Sequence, residues 1–257
     1  MSNTEKTEIS DLRRYMEQSL AEHYTQVITF KDREDSYVSL YAHKDSGKKM
    51  LLRRSGNRND GVYRALRGKR LCNLPMVLEV CSEEAHLLVL EEYIEGRTLD
   101  KILDSGQLTS AQAAAYTIDL CHALEELHNL GIVHRDIKPD NLFYCEETDT
   151  YKLGDFGIAH YLARPTEGKG RAGTLSHMPP EVFQGAEFTY TSDLYALGMI
   201  LYRLMNDNRI PLLPPYPENF TPQQRDRALV ERLNGREPGP PRLAVLDDKA
   251  LAEGRQF

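Results

Sequence analysis

The 257-residue chain has no apolar run long enough to span a bilayer, which takes about 20 consecutive apolar residues. Its start, MSNTEKTEIS, lacks the apolar core of a secretory signal peptide, so none is expected. The sequence also lacks any C-x-x-C pair, which argues against a zinc site. The cysteines are far apart and are predicted to be reduced thiols of a cytoplasmic protein: Cys72, Cys81, Cys121 and Cys145.

The charge balance does not favour a nucleic-acid partner. The chain has 32 basic and 39 acidic side chains and a net charge of −7 at pH 7, whereas a surface that binds nucleic acid is usually basic. Apolar residues make up 40% and charged residues 28% of the sequence, which is typical of a globular protein and argues against a disordered one. There is no internal repeat, and the length suffices for one large or two small packed units.

The front third of the chain is predicted to form a small antiparallel sheet with one helix. Apolar residues spaced among charges over 9–24 predict an amphipathic helix ahead of that sheet. Strand-forming residues on either side of Lys31–Ser36 predict two strands, and a turn at Asp45–Gly47 leads into a short third strand, Met50–Arg53. Segment 58–71 is predicted to be helical. The further strands are predicted at Val77–Val80 and Leu87–Glu91.

The rest of the chain is predicted to be mainly helical. Thr109 and Gln112 form a capping-box pattern that predicts the start of a long helix, which Gly131 should end. The other predicted helices are Ser192–Met205 and one that begins with Thr221 as N-cap, Pro222 at N1 and Gln224 at N3. The chain therefore divides near Ile94–Gly96 into a β-rich front and a helical back, and a cleft between two such units is a natural ligand site.

The most informative segment is His134–Asn141, which reads His-Arg-Asp-Ile-Lys-Pro-Asp-Asn. A second motif, Asp155–Gly157 (Asp-Phe-Gly), begins 14 residues after Asn141. Together they resemble the H-R-D-x-K-P-x-N and D-F-G motifs of the eukaryotic-type (Hanks-type) serine/threonine protein kinase family. The resemblance extends unevenly from about Tyr24 to Asn234.

The resemblance implies a fold of the α+β class with two lobes. The N-lobe would be a small antiparallel β-sheet with one main helix, and the C-lobe would be larger and mostly helical. The implied divisions are an N-terminal helical extension over 1–24, the N-lobe over 25–94 and the C-lobe over 95–257, which is shorter at its end than the family pattern.

The resemblance also implies transfer of the γ-phosphoryl group of ATP to a protein hydroxyl, with Mg²⁺ as the metal. Asp136 would orient the attacking hydroxyl and accept its proton, and Lys138 would neutralise charge on the moving group. Asn141 and Asp155 would supply oxygen ligands to Mg²⁺. Lysine at position 138 is similar to the serine/threonine branch of the family. The implied partners are ATP and a protein substrate, without nucleic acid or a membrane segment.

Further roles follow from the same resemblance. The ATP contacts would be Val38, Arg53, Glu92, Ile94, Phe143 and Asp155, and the activation segment would include Thr166, Thr174 and Glu181. Taken alone, Val38 and Phe143 are also consistent with ordinary core packing. Arg135 could bind a phosphate on Thr166, although the sequence favours an unmodified loop residue there. Asp193 would hold the backbone of the His134–Asn141 segment.

The front of the chain departs from the family pattern at the residues implied to contact ATP. Lys31, Arg33 and Ser36 stand where the phosphate-binding loop has glycines, which normally let backbone N–H groups approach phosphates. Arg53 replaces the phosphate-binding lysine and is not equivalent to it. Leu51 replaces a small alanine beside the adenine. These residues leave a plain charged hairpin open as an alternative.

Two family charge pairs are also incomplete in the sequence. Segment 54–74 contains a single acid, Asp60, which lies too early to pair with Arg53, so Arg53 is expected to lack the family's acidic partner. The arginine that usually pairs with Glu181 has no matching context either. The candidate partners near the end of the chain are Arg242 and Arg255.

Three hypotheses about function remain open on the sequence. The first is an active serine/threonine protein kinase, which the set of Asp136, Lys138, Asn141 and Asp155 favours. The second is a pseudokinase that acts as a nucleotide- or protein-binding regulatory scaffold, which the altered front residues favour. The third, a small-molecule phosphotransferase of related fold, is disfavoured by the Met178–Glu181 segment, which is typical of a platform for a protein substrate.

Overall fold

The structure is a computed structural model in which the chain divides into two units, Met1–Glu95 and Gly96–Phe257. It describes residues 18–33, 36–56, 60–83, 86–105, 108–162, 173–215 and 217–241. No helix within these ranges is both long and apolar enough to cross a membrane.

One five-stranded antiparallel sheet with the strand order β1-β2-β3-β5-β4 forms the framework of the first unit. Its strands are β1 (Tyr24–Arg33), β2 (Ser36–His43), β3 (Lys49–Gly56), β4 (Val77–Glu83) and β5 (His86–Glu92). Helix α1 (Asp60–Leu66) packs against β4 and buries Val62, Tyr63 and Leu66. The predicted small antiparallel sheet with one helix is confirmed.

The bounds of some elements differ from those predicted. Helix α1 is shorter than the predicted 58–71, because Gly68 takes a left-handed conformation (φ +73°) that ends it. Residues 18–21 are helical, but strand β1 already begins at Tyr24, so the predicted helix over 9–24 is wrong in its last residues, and its first residues lie outside the described ranges. Leu20 packs on the buried face of the sheet against Tyr37 and Leu52.

The second unit is mainly helical. Its helices are α2 (Leu99–Ser105), α3 (Ser110–Asn129), α4 (Pro180–Phe183), α5 (Tyr190–Leu204) and α6 (Pro222–Leu233). The predicted capping boxes are present: the Thr109 hydroxyl accepts from the Gln112 N–H, and the Thr221 hydroxyl from the Gln224 N–H. Gly131 follows α3 with φ +76°, as expected for a helix stop.

Short strands of the second unit bring the two acidic motifs together. Strand β6 (Gly96–Thr98), β8 (Leu142–Cys145) and β9 (Thr150–Leu153) form one small sheet, and β7 (Ile132–Val133) pairs with β10 (His160–Tyr161). The His134–Asn141 segment therefore connects β7 to β8 and is called the 134–141 loop below. Because Leu142 pairs with Leu153 in the β8–β9 hairpin, the residues just before β8 and just after β9 lie at the same end of it.

Candidate active site

Asp193 of α5 holds the backbone of the 134–141 loop. Its side chain is 1% exposed, and its two oxygens accept the N–H groups of His134 at 2.8 Å and Arg135 at 3.0 Å. The Nε2–H of His128 on α3 donates to the same carboxylate at 3.0 Å. Arg135 has a left-handed backbone (φ 71°), so these bonds stabilise a conformation that its own side chain disfavours. The role expected for Asp193 is the one observed.

His134 connects the 134–141 loop to the Asp-Phe-Gly motif. It is fully buried, and its Nε2–H donates to the Gly154 carbonyl at 3.1 Å, while its Nδ1 accepts the Asp136 N–H at 3.3 Å. Burial lowers the pKa of His134, which is consistent with this neutral tautomer. The Phe156 ring packs edge-on to the imidazole with a centroid distance of 5.7 Å. The two motifs therefore share a packed and hydrogen-bonded contact.

The carboxylate of Asp136 is the centre of the polar cluster. Its Oδ2 accepts from Lys138 Nζ at 2.6 Å and from Asn141 Nδ2 at 3.1 Å, and its Oδ1 accepts from the Thr174 hydroxyl at 2.7 Å. Burial acts to raise the pKa of Asp136, but the hydrogen bonds from Lys138 and Thr174 outweigh it and hold the pKa below its ordinary value. The structure thus brings together three residues that the resemblance assigned to catalysis and one, Thr174, that it assigned to the activation segment.

Asn141 and Asp155 provide a pair of oxygen groups suited to Mg²⁺. The Asn141 Nδ2 donates to the Asp136 carbonyl at 2.9 Å as well as to its carboxylate, so the amide oxygen of Asn141 is turned away from both. The Gly154 N–H donates to the Asn141 carbonyl at 2.9 Å, which places Asp155 next in the chain to that contact.

Two side-chain oxygen ligands are few for a metal held by protein alone. No group of three His, Cys, Asp or Glu side chains suited to a metal occurs in the described part of the chain. Mg²⁺ bound to nucleotide phosphates needs only one or two protein oxygen ligands, since phosphates and water supply the others. The residues present fit that mode of binding.

Gly173 and Thr174 begin the segment that faces the 134–141 loop. Gly173 has φ +110°, and a Cβ there would lie 2.8 Å from the Arg135 carbonyl oxygen, so only glycine fits without a shift of backbone. The close approach of these two backbones places the Thr174 hydroxyl on Asp136.

Arg232 of α6 holds the chain that follows Thr174. Its side chain is almost fully buried, and its terminal nitrogens donate to the carbonyls of Leu175 at 2.7 Å and Met178 at 2.8 Å. The same guanidinium donates to the Tyr195 hydroxyl at 2.8 Å. Glu181, by contrast, is exposed and makes no ion pair with any residue that the structure describes. A buried arginine bound to backbone carbonyls thus stabilises this segment without the expected Glu181 pair.

His177 is a buried neutral base in the same segment. Its Nε2 accepts from Arg203 at 3.4 Å, since a guanidinium can only donate, and its Nδ1–H therefore donates to the Ser176 hydroxyl at 3.0 Å. Burial, reinforced by the charges of Arg203 and Arg232, lowers the pKa of His177 to about 3.

In the first unit, Arg53 has an acidic partner that the sequence analysis did not assign to it. Its Nε donates to Glu91 Oε1 at 2.5 Å. Arg53 lies opposite Val89 and Glu91 lies opposite Leu51, so the two side chains are diagonal neighbours on one face of the sheet. The acid that the family places on this helix is absent from α1, and a neighbouring strand, β5, supplies a different one, Glu91.

The β1–β2 hairpin keeps strand pairing close to its tip. Lys31 lies opposite Val38, and Arg33 lies opposite Ser36, so all three residues at the family's glycine positions belong to strands. The Arg54 guanidinium donates to the Arg33 carbonyl at 2.7 Å and stabilises this pairing. Lys31 and Arg33 are exposed.

Comparison with known proteins agrees with this arrangement. The protein kinase domain model matches residues 24–230. The human serine/threonine-protein kinase DCLK3 is 33% identical over 185 residues, which are 63% of this chain and 28% of that protein. The Myxococcus xanthus serine/threonine-protein kinase pkn2 is 32% identical over 151 residues, 56% of this chain and 18% of its own length. The chain thus matches only a minor part of these relatives. It belongs to the protein kinase family.

Glu92 and Ile94, two residues implied to contact ATP, lie at the end of β5 and just after it. The Glu92 N–H donates to the Met76 carbonyl at 2.8 Å, and its Oε2 accepts the Met76 N–H at 3.1 Å. The Ile94 N–H has no backbone acceptor among the residues described. The Glu92 backbone and side chain therefore join the end of β5 to the residue just before β4.

Of the remaining residues predicted for the site, the structure describes two. Val38 lies on β2 and Phe143 on β8, both half-buried. Thr166, Arg242 and Arg255 lie outside the described residues.

Sequence reasoning missed three residues of this kinase domain: His177, Arg232 and the pairing role of Glu91. Glu91 carried a signal, since a carboxylate inside an apolar strand needs a buried cation. Arg232 and His177 carried none, because each acts through contacts to residues distant in the sequence or to backbone carbonyls.

Proposed function

We propose that this kinase domain is an active serine/threonine protein kinase that transfers the γ-phosphoryl group of Mg²⁺-bound ATP to a protein hydroxyl. The observation that carries the proposal is the convergence of Lys138, Asn141 and Thr174 on the Asp136 carboxylate. A domain without phosphoryl transfer has no chemical need for all of these groups and Asp155 together.

The hydrogen bonds of Asp136 suit it to orient a substrate hydroxyl. An ionised carboxylate offers about four acceptor sites. Two donors bind Oδ2 and one binds Oδ1, which leaves one site on Oδ1 for an incoming hydroxyl. Since the pKa of Asp136 is lowered, it is a weak base. Its main contribution would be to aim the hydroxyl and to take the proton late, as the oxygen–phosphorus bond forms and the bond to ADP breaks.

The other groups would stabilise charge and position ATP. Lys138, already on Asp136 at 2.6 Å, would neutralise charge on the transferred group. Asn141 and Asp155 would hold Mg²⁺, which when bound neutralises phosphate charge. The ATP contacts proposed from the resemblance are Val38, Arg53, Glu92, Ile94 and Phe143.

The activation segment completes the proposal. Thr174 would lie beside the substrate hydroxyl, since it shares Asp136 Oδ1 with it. Arg135 would bind a phosphate on Thr166 if that residue is modified, and its guanidinium now packs over the Phe188 ring at 4.8 Å. Glu181, which is exposed, is proposed to contact a protein partner.

A second candidate function, a pseudokinase scaffold, is favoured by the glycine-free hairpin. In this hairpin the strand pairing continues to Arg33 and Ser36. Backbone N–H groups that a glycine-rich loop would present to phosphates are therefore engaged in strand pairing here. In that case the domain would bind partners, with or without nucleotide, and transfer no phosphate.

Two measurements separate these functions. Thermal-shift titration with ATP should raise the unfolding midpoint only when Mg²⁺ is present, and Asp155→Asn should abolish the Mg²⁺-dependent part. Phosphate incorporation into casein or into the domain itself should then fall by at least about 100-fold in Asp136→Asn. Asp140→Asn, an exposed residue of the same loop, is the matched control. Mg·ATP binding without transfer in the wild-type protein would favour the scaffold.

A further inference from the structure

A chain of hydrogen bonds links the end of α5 to Ser176, in the segment that follows Thr174. The Asn208 amide oxygen accepts from Nε of Arg203 at 3.1 Å and from Nη2 at 2.7 Å, so it holds one edge of the guanidinium. Arg203 Nη1 donates to His177 Nε2 at 3.4 Å, and His177 Nδ1 lies 3.0 Å from the Ser176 hydroxyl oxygen. The donors and acceptors of this chain decide what Ser176 can bind.

The direction of the chain is set by Arg203. A guanidinium has donors only, so His177 Nε2 must accept, and a neutral imidazole then carries its proton on Nδ1. Burial, reinforced by the charge of Arg203, keeps His177 neutral by lowering its pKa to about 3. The Nδ1–H of His177 therefore donates to Ser176, and the Ser176 oxygen is the acceptor of that bond.

The Ser176 hydroxyl keeps a hydrogen atom that it can donate. A hydroxyl combines one donor with two acceptor lone pairs, and the bond from His177 uses a lone pair. In the part of the chain that the structure describes, no residue accepts a hydrogen bond from this hydroxyl. Ser176 is only half-buried, so a ligand can reach it. Such a donor is suited to bind an oxygen atom of a ligand.

Ser176 lies at the corner of a turn that begins at Thr174. The N–H groups of His177 and Met178 donate to the Thr174 carbonyl, both at 3.0 Å. The Thr174 hydroxyl donates to Asp136 at 2.7 Å, so the turn is fixed to the carboxylate proposed to orient the substrate hydroxyl. A polypeptide with its hydroxyl on that carboxylate would extend along this turn, and each of its residues offers a main-chain carbonyl as acceptor.

We propose that Ser176 is a substrate-binding residue that donates its O–H to a main-chain carbonyl of the protein substrate, and that Arg203, acting through His177, is the positioning residue that keeps this hydrogen directed outward. The proposal rests on the proposed function, because it concerns the protein substrate of the same site. A main-chain acceptor makes the contact independent of the side chains of the substrate.

Steady-state kinetics with two probes test the role of Ser176. The probes are casein and a peptide with one serine flanked on both sides by alanine. Ser176→Ala should raise the KM for each probe by about 3- to 10-fold, the range expected for one hydrogen bond, and leave kcat and the KM for ATP unchanged. Ser176→Thr keeps the hydroxyl and should stay near wild type. Ser46→Ala, at an exposed serine of the first unit, is the matched control and should change none of these values.

Two variants of Arg203 test its role as the positioning residue. Arg203→Lys keeps a donor for His177 Nε2 and should retain most of the affinity for both probes. Arg203→Met has no donor, so the imidazole proton can move to Nε2 and the Ser176 O–H can turn inward to Nδ1. The KM of Arg203→Met should therefore rise toward that of Ser176→Ala, and the double variant should have no higher KM than Ser176→Ala.

The tautomer of His177 gives a readout that does not depend on activity. Nitrogen-15 NMR of the imidazole should show the proton on Nδ1 in the wild type and in Arg203→Lys. Arg203→Met should show an increased population with the proton on Nε2.

Several results would overturn the proposal. An unchanged KM in Ser176→Ala would refute the contact, and a rise for casein alone would mean that a side chain of casein is the acceptor. A wild-type His177 with its proton on Nε2, or a further rise of KM in the double variant, would refute the role of Arg203. Wild-type protein that binds Mg·ATP but phosphorylates neither probe refutes the proposed function and this proposal with it, whereas transfer with an unchanged KM in Ser176→Ala refutes this proposal alone.

Discussion

Replacing Asp193 by asparagine tests how the 134–141 loop is held in place. The carboxylate is 1% exposed and accepts the backbone N–H groups of His134 and Arg135 on different oxygens. An amide has only one oxygen. In either orientation its NH₂ group therefore faces a buried N–H donor, which loses its acceptor.

The expected cost follows from that loss. A buried donor without an acceptor costs about 1–3 kcal/mol, and bonds to a charged acceptor contribute about 1.5–3 kcal/mol. The two figures count partly the same lost hydrogen bond, and removal of the buried charge offsets part of the destabilisation. We therefore expect a loss of about 3 kcal/mol, which lowers the unfolding midpoint by about 6–12 °C in a protein of this size.

Circular dichroism melting of wild type and Asp193→Asn measures this directly. Asp226→Asn is the control, because Asp226 is exposed and its distance to Arg225 is 3.5 Å. It should stay within about 2 °C of wild type. A midpoint for Asp193→Asn that matches the control would show that Asp193 does not stabilise the loop.

Three further predictions concern the segment after residue 172. Burial lowers the pKa of His177 to about 3, so between about pH 6.5 and 3 the unfolded chain binds a proton that the folded chain does not, and stability falls as pH falls. Urea denaturation at several pH values measures how steeply the free energy of unfolding depends on pH. That slope should be smaller in His177→Gln by up to about 1.4 kcal/mol per pH unit, and equal slopes in the two proteins would contradict a lowered pKa for His177. Gly173→Ala should lose more stability than Gly185→Ala, because both have φ above +100° but only the first Cβ would meet backbone, the Arg135 carbonyl; similar losses would exclude that clash. Arg232→Lys should raise the KM for a protein substrate and leave the KM for ATP unchanged, since one ammonium cannot replace a fork that binds two carbonyls, and an unchanged protein KM would argue against this role.

Local signals in the sequence were sufficient for several elements. The capping box of Thr109 and Gln112 involves residues three apart, and it correctly located the start of α3. The spacing of Asp136, Lys138 and Asn141 also lies within one short loop, and the structure brings these side chains together as the motif implied.

Contacts between distant segments could not be predicted in the same way. Arg53 and Glu91 are 38 residues apart, and their contact depends on the register of β3 against β5. Arg232 binds the Met178 carbonyl across 54 residues, and a backbone carbonyl has no sequence signature. The predicted helix over 58–71 was too long because Gly68, in a left-handed conformation, turns the chain soon after Leu66.

The measurement that tests the central claim most directly is incorporation of labelled γ-phosphate from Mg·ATP into serine and threonine of a protein substrate. The wild-type domain is expected to incorporate label, and Asp136→Asn to incorporate at least about 100-fold less at equal protein stability. Equal incorporation by the two proteins, or none by a wild-type domain that binds Mg·ATP, would contradict the assignment of Asp136 as the residue that directs the transfer.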